Sequence, residues 1–261
     1  MHQHYTQSGS LSWLLPLLLG GLLLALYCWG LSRQYNLGKG WNIRRTVYFT
    51  IGCLLMVFAL LPPVMQWAHQ DFRVHMVQHL LLGMLAPLGL VLGAPVSLAL
   101  RTVPASAART LAYILGSKLF HLAGHPVTTL FLNIGGMYVL YLTPLYKATL
   151  TNPVLHYLVH LHFLAAGYLF TWSVAGPDPA PRRPGLQVRL VVLFTGIAAH
   201  AFLSKFMYAY LYPLYTPHSA AQIRSGAKIM YYGGDLAELL LAVALFATWY
   251  RRQSVPRQIL S

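Results

Sequence analysis

Residues 74–100 read VHMVQHLLLGMLAPLGLVLGAPVSLAL, 27 residues without one Asp, Glu, Lys or Arg. A helix crosses the hydrocarbon core of a bilayer with about 20 mostly apolar residues, so this run is long enough to span. Six more stretches pass the same test: roughly 11–31, 45–66, 126–146, 154–174, 188–212 and 226–249. The runs are long and lack period-two alternation, which excludes a strand barrel. Their Pro and Gly content is tolerated in membrane helices. Only 8% of the 261 residues are charged, against about 25% in soluble domains. So few charges cannot cover a soluble fold, and 57% hydrophobic residues exclude a disordered chain. The expected fold is all-α: a polytopic, multi-pass membrane protein of seven transmembrane helices, forming a single domain over 1–261.

The charges set an orientation. The formal net charge of +14 comes from 18 Lys and Arg against 4 Asp and Glu. The basic residues fall in short bursts between the apolar runs, a membrane pattern that argues against nucleic acid as a partner. Arg33, Lys39, Arg44 and Arg45 lie in the first connection, Arg101, Arg109 and Lys118 in the third, Arg182, Arg183 and Arg189 in the fifth, and Arg251, Arg252 and Arg257 in the tail. That makes 13 on one side; Arg73, Lys147, Arg224 and Lys228 make 4 on the other. The positive-inside rule then places the C-terminus in the cytoplasm and the N-terminus outside. The leading MHQHYTQSGS has no Lys or Arg, so the first run reads as a retained span rather than a cleaved signal. Residues 105–121 carry Leu111, Ile114, Leu115 and Leu119 on a stripe interrupted by Lys118, fitting either an interfacial helix or a short connecting one. The run GPDPAPRRPG (176–185) reads as a stiff loop. Cys28 and Cys53 sit inside apolar runs and form no metal or disulfide motif.

Twelve histidines are distributed unevenly. His121 and His125 fall on the cytoplasmic side and His200 near mid-membrane. The other nine, including His2, His4, His69, His162 and His218, fall at the outer end. His75 and His79 are i,i+4 at the outer start of the third span; His156 and His160 are i,i+4 at the outer start of the fifth. Residues four apart share a helix face. His79 and His160 both come out about 9 Å below the outer boundary. Two level imidazole pairs suit a metal such as copper, zinc, iron or nickel; interfacial histidines without a metal are the alternative. A faint duplication accompanies them, because proline near the outer end of spans two and four (Pro62, Pro63, Pro144) precedes each pair.

Charges inside a bilayer need partners or a polar cavity. Lys205 and Asp235 lie at similar depth and are expected to pair across spans six and seven. Otherwise, Asp235, Glu238 and His200 line an ion or proton pathway, or orient ligating histidines. Met65, Met76, Met207 and Met230 lie in the outer half, where they fill gaps or offer thioethers to Cu(I). No nucleophile elbow, phosphate loop or zinc-protease motif is present, so the chain is not expected to be an enzyme.

The run HMVQHLLLGMLAPLGLVLGAPVSLALR (75–101) resembles the third-span signature of the multi-span CtaG family of cytochrome c oxidase assembly factors. The segment TPLYKATLTNPVLHYLVHLHFLAAGYLFTWSVAGPDPAPRR (143–183) and the LYPLY of 211–215 resemble further family elements. The last span departs from the family pattern: Asp235 stands for the family Asp, but Leu236 replaces the expected Gln and Glu238 is additional. The resemblance implies haem–copper oxidase maturation in a bacterial inner (plasma) membrane. Copper would be the metal, and oxidase subunits or other assembly factors the partners within the lipid bilayer. On this reading His75, His79, His156 and His160 are the metal ligands, with His69, His162, His200, Lys205, Asp235 and Glu238 orienting them or lining a pathway. The competing readings are a transporter that uses the intramembrane His, Lys, Asp and Glu, a membrane cytochrome with histidine haem ligands, and a metal-free assembly scaffold.

Overall fold

A computed structural model describes residues 9–180 and 183–253; His2, His4, Arg182 and Arg257 lie outside them. The described chain is helical without strands, in the order α1 (Gly9–Asn36), α2 (Ile43–Leu60), α3 (Pro62–Gln70) and α4 (Phe72–Leu80), then a π-helical turn at Leu81–Leu85 and α5 (Ala86–Leu92). There follow α6 (Pro95–Thr102), α7 (Ala105–Gly116), α8 (Lys118–Ala123) and α9 (Pro126–Leu130), a second π-helical turn at Phe131–Gly135, and α10 (Gly136–Leu142). The chain closes with α11 (Leu145–Thr151), α12 (Pro153–Ala175), α13 (Leu186–Tyr210) and α14 (Ala220–Gln253). Six helical stretches are long and apolar enough to cross a membrane, and the bent α9–α11 stretch brings the number to seven.

Proline and Asx residues set the boundaries. The apolar run expected to continue to residue 66 stops as a straight helix at Leu60. Pro63 and Pro62 supply no N–H, and Leu61 is held extended at φ −61°, ψ 139°. The run 126–146 is likewise not one rod, because its continuation into α11 turns by 76°. The last helix is longer than expected, beginning at Ala220. Residues 105–121 split at Ser117, whose hydroxyl caps α8 by accepting from the Phe120 N–H. Along the proposed stripe Leu115 is buried, while Ile114 and Leu119 are exposed.

Glycine permits the closest helix contacts. A Cβ on Gly52 of α2 would lie 2.5 Å from the Leu90 nitrogen of α5. One on Gly167 of α12 would lie 2.1 Å from the Gly83 carbonyl oxygen. Membrane helices associate through such small residues because lipid gives them no hydrophobic push together. Spans three and five therefore touch backbone to backbone, which places their histidines in one layer. Around that layer Phe72, Met76, Met137, Tyr141, Tyr146 and Met207 form a tightly buried cluster. A separate apolar cluster of Phe170, Val174, Leu193 and Leu245 fills the opposite half.

Asp178, in the GPDP run, locks that opposite end. It is fully buried and accepts from the Val96 and Ser97 amides at 3.2 and 2.7 Å, closing the start of α6. Burial raises its carboxyl above the usual range, against the amide bonds that lower it. The folded state thus binds this proton more tightly than the unfolded chain. The group's contribution to stability therefore falls as pH rises from about 4 through the raised value. Asp178→Asn is expected to remove that fall, and Asp178→Ala to cost about 1 kcal/mol through the lost cap. Unfolding midpoints in detergent, recorded against pH, check both.

Candidate functional site

The two histidine pairs sit on structurally matching units. Each begins with a short helix, α3 or α11, and breaks at an Asx residue, Asp71 or Asn152. That residue caps the next helix: Asp71 accepts from the Arg73 amide at 2.8 Å and Asn152 from the Leu155 amide at 3.1 Å. The histidines follow four and eight residues after the cap in both units, His75 and His79 on α4, His156 and His160 on α12. Equal spacing from equivalent caps is why the pairs stand level. The duplication inferred from the prolines thus has a second sign, the Asx cap.

All four imidazoles are buried. His75, His79 and His160 line one small cavity with Tyr141 and Phe163. His156 stands behind His160, ring centroids 4.2 Å apart, and faces His69, whose Nε2 lies 3.1 Å from His156 Nδ1. His75 Nε2 lies 3.2 Å from the Tyr141 hydroxyl, and His79 Nε2 donates to the Met137 sulfur at 3.1 Å. Within these four rings two buried nitrogens, Nε2 of His156 and Nδ1 of His160, have no hydrogen-bond partner. Beyond His160 lies an apolar cavity of about 290 Å³, bordered by Leu15, Leu60 and Leu164. Among the described residues no three His, Cys, Asp or Glu side chains are arranged to hold one metal ion as they stand.

Flanking groups extend the layer. Tyr146 and His218 meet at 2.9 Å (hydroxyl to Nε2), and Phe72 stacks near His75 with centroids 5.8 Å apart. Outside the spans, burial lowers the basicity of His69 and His218 below the usual imidazole range, with Asp71 partly opposing this at His218. Both shifts favour the neutral ring.

Two of the expected pathway residues, His200 and Glu238, come together, while Lys205 and Asp235 lie apart from them. His200 Nδ1 and Glu238 Oε1 lie 3.3 Å apart, both buried, and this is one of two ion pairs among the described residues. The other joins Arg73 and Asp71. The expected Lys205–Asp235 pair does not form. Both side chains are exposed on the outside of the bundle, and Lys205 lies over the Tyr231 ring at 5.1 Å. Similar depth does not imply the same helix face. His162 is also exposed, its Nε2 donating to the Leu132 carbonyl at 3.0 Å.

Tyr141, Tyr146 and Met137 are the site residues that sequence reasoning missed. The tyrosines straddle the 76° bend between α10 and α11, so no helical period links them. The π-helical turns, at Leu81–Leu85 directly after His79 and at Phe131–Gly135, are a second unread feature; such turns cluster at functional sites.

Comparison with known proteins agrees with the residues that carried the resemblance. The profile of the cytochrome c oxidase caa3 assembly factor family, Caa3_CtaG, matches residues 25–252. The chain belongs to this family. This CtaG-family chain is also 31% identical to an uncharacterized protein of Mycobacterium leprae over 92% of its own length and 40% of that protein's. It is 35% identical to uncharacterized proteins of Mycobacterium bovis and Mycobacterium tuberculosis, over 70% of its own length and 29% of theirs. It thus spans less than half the length of these curated relatives. No solved structure matches. The matching family is described as one of cytochrome c oxidase caa3 assembly factors, and the long apolar helices suit a multi-pass membrane protein.

Proposed function

We propose that this CtaG-family chain takes up copper at its histidine layer and passes it to a haem–copper oxidase subunit or to another assembly factor. The observation that carries the reading is the small cavity shared by His75, His79 and His160, with the buried Nδ1 of His160 left without a partner and His156, its Nε2 likewise unpartnered, packed behind that ring. Buried polar atoms in native proteins rarely go unpartnered. Imidazoles with the Met137 thioether one contact away make a donor set that fits copper. Because no three ligands converge as they stand, capture requires the imidazoles to turn toward the cavity. The 13 to 4 charge bias supports a reading in which this layer faces the outer side of the membrane.

A transport route needs continuous polar lining, and the apolar packing of Phe170, Val174, Leu193 and Leu245 lies across the opposite half. The scaffold reading leaves the two level histidine pairs as coincidence.

The test is complementation of a strain lacking the chain. Wild type is expected to restore the copper-to-haem ratio of the purified oxidase. The His79→Ala, His160→Ala double variant, accumulating to the same level, is expected not to. Full restoration by that variant would remove the histidines from the function and favour the metal-free scaffold.

A further inference from the structure

Between α2 and α14, at the end that carries the arginine-rich connections, lies a cleft of about 600 Å³. Leu88 of α5 forms part of its floor, Leu55 and Leu240 mark its deep end, and Arg44, Arg45 and Arg251 stand at its mouth. From Arg44 to Leu55 and from Leu240 to Arg251 the helices each rise about 16 Å. That is about half of a 30 Å hydrocarbon core, so the cleft is one leaflet deep. Its mouth sits where the headgroups of that leaflet lie.

The mouth carries three arginines, of which Arg45 alone has an acid, Asp178, near enough to act on it by charge. Of the chain's four acidic residues, Asp71 and Glu238 form the two ion pairs, Asp178 is engaged by the α6 amides, and Asp235 is exposed on α14 sixteen residues before Arg251. Arg44 and Arg251 are exposed, and the Arg45 guanidinium lies over the Trp41 ring at 5.0 Å. A basic mouth above an apolar, leaflet-deep slot is complementary to one class of molecule. We propose that the cleft is a binding site for an anionic diacyl phospholipid of the adjacent leaflet, its phosphate held by Arg44, Arg45 and Arg251 and an acyl chain lying along α5. Basic pockets between membrane helices are known to select anionic headgroups. The assignment does not depend on the copper reading, nor on which leaflet faces the cytoplasm.

The test uses the full chain in nanodiscs, with retained lipid measured by native mass spectrometry. The probes are dioleoyl-phosphatidylglycerol and dioleoyl-phosphatidylcholine in equal amounts. Wild type is expected to retain the anionic lipid over the zwitterionic one by about tenfold, falling toward parity in 1 M salt. Arg44→Gln, Arg45→Gln, Arg251→Gln is expected to abolish the preference. Ala247→Trp, which fills the cleft and keeps the arginines, is expected to reduce retention of both lipids; it also covers the case in which the triple variant does not fold. Equal retention of the two lipids by wild type would overturn the proposal. So would displacement by glycerol phosphate, which has the headgroup but no chains, or a bound neutral isoprenoid unaffected by the arginine substitutions.

Discussion

Gly167→Leu is expected to prevent the folded chain from accumulating in the membrane. The Gly167 α-carbon faces the Gly83 carbonyl so closely that even a methyl group would sit 2.1 Å from that oxygen, with the Gly83 carbonyl carbon at 2.9 Å. The obstacle is backbone, which cannot rotate away as a side-chain end can. Overpacking a tight core costs about 1–3 kcal/mol and at times more, and the upper end applies where two spans must separate. Gly167→Ala is expected to lower the unfolding midpoint and to widen the gap between α12 and the π-helical turn that follows α4, so that it also weakens the histidine layer. Gly21→Ala, at a position with nothing within 4 Å, serves as the silent control. Thermal unfolding in detergent and membrane accumulation measure the series. A Gly167→Leu protein as stable as wild type would contradict the packing described here.

The second large effect concerns His200. It is 1% exposed and holds Glu238 across α13 and α14, and Gly234 makes room for its ring. Removing one partner leaves the other buried polar group without its contact, at a cost of about 1–3 kcal/mol. His200→Leu is therefore expected to destabilise. The double variant His200→Leu, Glu238→Leu is expected to recover most of the loss, since an apolar pair of similar volume leaves nothing unpaired. A double-mutant cycle on unfolding midpoints reads the coupling, and additive losses would show that the two side chains act independently.

Much of the architecture was legible because hydropathy and charge report on burial and side directly. The seven apolar runs and the i,i+4 histidines needed no tertiary information. Misreadings occurred where hydropathy and backbone chemistry disagree. Val64, Met65 and Trp67 continue an apolar run past Leu60, yet two prolines end the helix there. Lys205 and Asp235 share a depth but not a face, because depth follows from counting residues whereas azimuth follows from packing. Glu238, one turn further along the same helix, faces His200 instead. The aromatic half of the histidine layer was hidden for a related reason: Tyr141 and Tyr146 come together across a bend, not along a helix. The Asx caps were visible in the sequence. Asp71 and Asn152 each stand four residues before the first histidine of a pair, a spacing that ties the two units together more firmly than the prolines do.

The most direct measurement is Cu(I) titration of the purified full chain in detergent against a chromophoric chelator. It should be run beside the His79→Ala, His160→Ala variant, with melting temperature confirming that both are folded. The account predicts that wild type withdraws copper from the chelator to a fixed stoichiometry and that the variant withdraws none. Wild type that leaves the chelator fully loaded, or a variant that competes equally well, would contradict it.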